Sequence, residues 1–211
     1  MSDPHEPPGF ADRSQDSIAD IPTEPEAFMR WATHLDRHHP FKYELSNGKV
    51  SRMMIHVTRA HWRVTANILG ELFAKLDWTR FEAGPTELAV RTEGGGVRYP
   101  DVVVDRASSA LTDLACEAPI FFAEVLSPST AGKDFTEKVE EYTAIDTLRT
   151  YLICSQDEPR AWVWARQADG SWPRRPTELV GRDGVIALGG LDIELTMAAI
   201  FRGIPDPPAP E

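Results

Sequence analysis

The chain has 211 residues and a formal charge of −11, with 42% hydrophobic and 26% charged side chains. That length supports one domain able to bury about 70% of its unfolded surface, and no apolar run is long enough to cross a bilayer. Two cysteines without metal-type spacing exclude a disulfide framework and point to a reducing, cytoplasmic setting.

The acid is unevenly placed. Residues 1–26 carry seven acids against one arginine, and the tail from Ile204 adds Asp206 and Glu211. The body between is nearly neutral, with 24 acids and 21 bases. It lacks the strong basic footprint of a typical nucleic-acid binder.

Residues 1–22, rich in Pro, Asp and Ser, read as a disordered acidic tail. Thr23, Pro25 and Glu26 form a helix-start signal with Thr23 as N-cap, and Phe28, Trp31 and Leu35 share one side of the helix that follows. His34 and His38 are four apart on it, but no third ligand is nearby, so they read as solvent-facing. Phe41–Leu45 and Lys49–Val57 read as strands joined by Ser46-Asn47-Gly48, a hairpin turn. Glu44 on the first strand is either an exposed carboxylate or a member of a site.

Thr58–Leu76 has Val64, Ile68, Leu72 and Leu76 at spacings of four, with Trp62, Leu69 and Phe73 widening the apolar face of a core helix. In its first turn His61, between Arg59 and Arg63, either approaches a phosphate at the positive helix end or caps a solvated helix start. Trp78–Ala83 and Thr86–Arg91 read as strands around Gly84-Pro85. Gly94-Gly95-Gly96 reads as a hairpin tip, because it lacks the helix and Lys-Ser/Thr of a phosphate loop.

Residues 97–142 hold the informative chemistry. Val102, Val103 and Val104 form a β-branched buried strand with Asp101 at its mouth, behind Pro100. Ile120–Leu126 is a second apolar run carrying one carboxylate, Glu124. A buried, unpaired carboxylate is costly or takes a proton, so Glu124 needs a partner; a metal ion shared with Asp101 is one candidate. Ser127-Pro128-Ser129-Thr130 ends that strand and starts a helix over about 131–147, on which Asp134, Lys138 and Tyr142 share a face. On this reading Lys138 either pairs with Asp134 or Glu141 or faces the strand ends.

Thr150–Ser155 is the next strand, and a strand–helix–strand run implies a right-handed crossover to a parallel neighbour. Cys154 reads as a small buried hydrophobe. Ala161–Trp164 pairs back across Asp157–Arg160. Gly170-Ser171-Trp172 and Leu179–Leu188 read as short antiparallel strands, and Thr196–Phe201 as a last helical turn. The Pro-rich tail 204–211 reads as disordered, leaving one domain over 23–203.

Tyr99-Pro100-Asp101, Glu124-Val125-Leu126-Ser127-Pro128-Ser129, Lys138 and Tyr142 together resemble the PD-(D/E)xK nuclease superfamily. Within it they resemble the Uma-two-type branch, a family of restriction endonucleases. Tyr43-Glu44-Leu45-Ser46-Asn47-Gly48 is similar to that family's opening hairpin, and Leu191-Asp192-Ile193 to its closing segment; the resemblance spans roughly residues 24–203. It implies an α/β fold with a restriction-endonuclease-like mixed central β-sheet flanked by helices, elaborated by N-terminal and C-terminal β-hairpins. It also implies endonuclease activity on nucleic acid, DNA first, with Mg²⁺ or Mn²⁺ held by Asp101, Glu124, the Val125 carbonyl and Glu44. Lys138 would be catalytic, displaced to the helix because Leu126 occupies the usual lysine position. Tyr142, His61 and Arg63 would contact substrate. A homodimer is allowed, as are a nuclease on RNA or branched DNA and an inert nuclease-like binding module.

Overall fold

Period-two alternation and a two-residue turn build the first hairpin. β1 (Phe41–Ser46) and β2 (Lys49–Met54) pair antiparallel. Asn47 and Gly48 take positive φ, 48° and 70°, as a type I′ turn requires. The computed structural model describes residues 18–35, 41–54, 56–85, 87–126 and 135–206. The hairpin extends into a four-stranded sheet of order β2-β1-β5-β4, where β4 is Val90–Thr92 and β5 is Gly96–Arg98. Gly94 and Gly95, both at positive φ, form the β4–β5 tip.

Helix α1 (Pro25–Thr33) packs Phe28 and Met29 against Tyr43, Leu45 and Val97 of this sheet. Its cap is Glu24, not the expected Thr23: the Glu24 carboxylate accepts from the N–H groups of Glu26 at 3.0 Å and Ala27 at 2.8 Å. A carboxylate there also opposes the positive helix end. His34 bonds locally, its Nδ1 lying 2.7 Å from the Arg30 carbonyl, and His38 lies outside the described residues.

The central sheet has the order β10-β9-β8-β7-β6-β3. Its strands are β3 (Phe81–Pro85), β6 (Val102–Arg106), β7 (Phe121–Val125), β8 (Thr150–Cys154), β9 (Arg160–Ala165) and β10 (Thr177–Val180). The expected crossover makes β7 and β8 parallel; every other pair in this sheet is antiparallel. Gly84 and Pro85 lie inside β3 rather than between strands. β3 is an edge strand, where a proline leaves no ladder bond broken. Within the crossover, helix α3 (Glu137–Thr143) ends four residues before the expected 147; Ser127–Asp134 lies outside the described residues.

Helix α2 (Arg59–Lys75), capped by the Thr58 hydroxyl, covers one face of the central sheet. Val64, Ile68 and Leu72 pack there with Val102, Val104, Phe121 and Ala123. Trp62 and Phe73, expected in the same core, are 62% and 51% exposed. The sheet covers one arc of the helix, with Leu69 packed at its margin and Trp62 and Phe73 outside it. The other sheet face packs Val103, Phe122, Tyr151 and Trp164 against Phe135, Val139 and Tyr142.

The Leu179–Leu188 segment splits: β10 stays in the central sheet, and β11 (Val185–Leu188) pairs instead with β12 (Ile193–Thr196). Helix α4 (Met197–Ile200) follows, capped by Thr196, and seats Met197, Ile200 and Phe201 in the main core. Gly170–Trp172 is loop, not strand. Both expected tails are anchored at their inner ends, since Ile21 is 4% exposed and Ile204 is 3% exposed. Among the described residues no helix is long and apolar enough to cross a membrane.

Candidate active site

The chain leaves the small sheet at β5 and enters the central sheet at β6, and Tyr99-Pro100-Asp101 is the crossing. The β6–β7 register pairs Val102 with Ala123, so one further step sets Asp101 opposite Glu124. Asp101 Oδ2 accepts the backbone N–H of Val125 at 2.8 Å and lies 3.1 Å from His61 Nε2. A carboxylate oxygen only accepts, so Nε2 of His61 carries the hydrogen. Its Nδ1 is buried without a hydrogen-bond partner among the described residues.

Glu124 is 4% exposed, and its Oε1 accepts from Lys138 Nζ at 2.8 Å and from the Tyr142 hydroxyl at 3.1 Å. Strand alternation explains where Glu124 points. Phe121, Ala123 and Val125 face α2, whereas Phe122 and Glu124 face α3. Asp101, one residue before β6, is held by His61 of α2, and Glu124 by Lys138 and Tyr142 of α3, at one end of the sheet. Lys138 and Tyr142 reach the same oxygen because they are four apart on α3.

A second charged group stands behind the first, and sequence reasoning passed over its centre. Arg98 is 1% exposed, and its guanidinium donates from Nε and Nη2 to the two oxygens of Glu141, at 2.7 and 2.8 Å. Nη1 donates to Glu44 Oε2 at 2.9 Å. Burial alone would lower the Arg98 pKa, but the bonds and charges of Glu141 and Glu44 outweigh it and drive it further up. Burial would likewise raise Glu141, yet the bonds from Arg98 and Ser46 hold it below the usual carboxylate range. Glu44 Oε1 accepts the Tyr99 N–H at 3.4 Å and lies 3.9 Å from Lys138 Nζ. Burial, and then the Glu44 charge, push the Tyr99 hydroxyl up to about 12. The available signal was an arginine in an apolar strand beside Pro100-Asp101, with three acids, Glu44, Glu137 and Glu141, to serve.

The expected residues thus fall into three places. Asp101, Glu124, Lys138, Tyr142 and His61 meet at the ends of β6 and β7. Glu44 is buried nearby, but Arg98 holds it. Arg63 stands apart, its Nη1 donating to the Gly203 carbonyl at 2.7 Å. Tyr142 is fully buried and His61 is 7% exposed, so both face carboxylates rather than an open surface. Lys138 pairs with Glu124 rather than with Glu141, which Arg98 takes.

A magnesium-type cation takes hard oxygen donors, ordinarily one or two carboxylates with waters and substrate completing the shell. Asp101 and Glu124, on adjacent strand ends, fit that chemistry. Glu44 lies behind them, its charge matched by the buried Arg98 guanidinium. Among the described residues no three His, Cys, Asp or Glu side chains converge as a ligand cluster.

A mixed sheet flanked by helices, with paired acids at adjacent strand ends, has the architecture of a nuclease-like α/β protein. The chain belongs to the Uma2 family, described as "putative restriction endonuclease", whose model matches residues 25–198. It is 30% identical over 137 residues to an uncharacterised protein of Synechocystis, a match covering 63% of this chain and 76% of that one. The crystal structure of a "putative nuclease belonging to DUF820" from Anabaena variabilis shares the fold. Its TM-score is 0.62 at 15% identity, covering 85% of this chain and 98% of the other.

Proposed function

We propose that this protein is a divalent-metal-dependent endonuclease that hydrolyses phosphodiester bonds in DNA at the ends of β6 and β7. The observation that carries the reading is the arrival of Lys138 at Glu124, 2.8 Å away, from the following helix. Position 126, where the PD-(D/E)xK pattern has lysine, is leucine, and α3 returns an ammonium to the same carboxylate. Asp101, Glu124 and the Val125 carbonyl would hold Mg²⁺ or Mn²⁺, which when bound neutralises phosphate charge and acidifies water.

The protein's own groups supply orientation and charge. The Val125 N–H and His61 fix Asp101, while Tyr142 fixes Glu124. Lys138 places positive charge beside Glu124, where negative charge would grow on a reacting phosphate. The family description supports DNA as substrate. One observation favours a second reading, an inert binding module: Glu124 and Lys138 are nearly fully buried and compensate each other's charge.

The test is single-turnover cleavage of linear, supercoiled and single-stranded DNA with Mn²⁺ or Mg²⁺, beside the metal-induced rise in melting midpoint. Wild type should cut, and Asp101→Ala and Glu124→Ala should each lose both cleavage and the rise. A metal-induced rise without cleavage of any DNA selects the inert module. Metal binding unchanged in both variants refutes the site.

A further inference from the structure

The turn between β8 and β9 buries a glutamine that the turn itself does not use. β8 runs parallel to β7 with Cys154 beside Val125, so the residues just past Cys154 stand at the same end of the sheet as Asp101 and Glu124. The turn is closed by other groups. The Ser155 N–H donates to the Arg160 carbonyl at 2.9 Å, the Asp157 N–H to the Ser155 hydroxyl at 3.2 Å, and the Arg160 N–H to the Glu158 carbonyl at 2.7 Å. Gln156 takes no part in these bonds, yet it is 6% exposed, whereas glutamine is ordinarily left in water. Its Oε1 instead accepts the Thr58 hydroxyl at 2.6 Å, across 98 residues of sequence.

That hydroxyl is the cap of α2. Thr58 Oγ1 accepts the His61 N–H at 3.1 Å, so its single hydrogen has to point elsewhere. Gln156 receives the hydrogen and so keeps the oxygen's lone pairs turned toward the helix, where the first N–H groups have no partner within the helix itself. His61 lies in this first turn, and its Nε2–H meets Asp101 Oδ2 at 3.1 Å. The same oxygen accepts the Val125 N–H at 2.8 Å. With both donors on Oδ2, Oδ1 is the oxygen of Asp101 left for a cation.

We propose that Gln156 is a positioning residue of the candidate site: through the Thr58 hydroxyl it fixes the first turn of α2, and through that turn it holds His61 against Asp101. Thr58 and His61 are each bonded on two sides, so a change at Gln156 is passed along the series to the carboxylate. Groups that orient a metal ligand through hydrogen bonds govern its affinity although they never touch the metal. The effect on a metal rests on the proposed function; the effect on His61 does not.

The test compares wild type with Gln156→Met, which keeps an unbranched stem without the acceptor, with Gln156→Glu, which restores an acceptor oxygen, and with Thr58→Val. Long-range proton–nitrogen NMR of the metal-free, full-length protein reads both ring nitrogens of each histidine from its carbon-bound protons, and His61 is identified by its absence from His61→Gln. Wild type should show His61 as the single tautomer with hydrogen on Nε2. Gln156→Met and Thr58→Val should each move it toward the mixed tautomers of a free imidazole, their double variant should match the larger single effect, and Gln156→Glu should return it. By titration calorimetry, Gln156→Met should raise the Kd for Mn²⁺ about tenfold. A lowered melting midpoint with the His61 nitrogens and the Mn²⁺ affinity unmoved marks a helix contact only and overturns the proposal. So does a wild type with mixed His61 tautomers, or a double variant in which the two single effects add. Wild type that binds no Mn²⁺ refutes the proposed function instead, and the His61 nitrogens still decide the role of Gln156.

Discussion

Replacing Lys138 with methionine probes the site at its most enclosed point. Lys138 is 3% exposed and Glu124 4%, with Nζ and Oε1 2.8 Å apart. Methionine keeps an unbranched, flexible stem but removes the ammonium. Glu124 would keep the Tyr142 hydroxyl at 3.1 Å and lose the Lys138 charge. Breaking a buried pair from one side costs about 3–5 kcal/mol, whereas replacing both members is often close to neutral. An exposed pair on a helix would cost only about 0.3–0.5 kcal/mol. Lys138→Met should therefore destabilise by about 3 kcal/mol or more, and Lys138→Met/Glu124→Gln should recover most of that loss. Urea unfolding of wild type, both single variants and the double variant at neutral pH closes the cycle. In single-turnover cleavage Lys138→Met should also lose about a hundredfold or more, the scale of one acid–base group. A loss below about 1 kcal/mol, or a double variant no more stable than Lys138→Met, would refute the buried pairing.

Three further outcomes follow from the charges and the packing around the site. Arg98→Met leaves Glu44 and Glu141 without their guanidinium and should cost about 3–5 kcal/mol; adding Glu44→Gln should restore part of it, read as a higher urea midpoint. Glu141 has a lowered folded pKa, so its contribution is present above its unfolded value and lost as pH falls through the folded one. Wild type and Glu141→Gln should accordingly converge in melting midpoint as acidification passes below the ordinary glutamate range, and differ most near neutrality. Gly96→Ala would drive a Cβ into Thr92 Oγ1 and to 3.1 Å from the Leu45 carbonyl, an overpacking worth about 1–3 kcal/mol that thermal melts would detect and Thr92→Ala would relieve.

Local pattern made much of this molecule legible from the chain. The Asn47-Gly48 turn, the α2 span, the β-branched β6 and the β7–helix–β8 crossover all rest on residues near in sequence, and each stands where the pattern put it. Pro100-Asp101 and Glu124 were readable for the same reason: a lone acid in or beside an apolar strand is a local anomaly. What α3 does to Glu124 was half visible, because the spacing of Lys138 and Tyr142 showed a shared face but not what the face met.

The partners of charges, and the use of helix faces, were decided by packing alone. Locally Arg98 is only an arginine in an apolar strand, and the approach of β1 and α3, 54 and 43 residues away in sequence, makes it the counter-charge of Glu44 and Glu141. That long-range pairing sets Glu44, which the resemblance placed at the metal, against the guanidinium. Likewise the apolar side chains of α2 could not declare which arc meets the sheet, since Val64 and Trp62 both count as apolar in the periodic pattern. Periodicity records that a face is apolar; which surface covers it depends on elements that only the folded chain brings together.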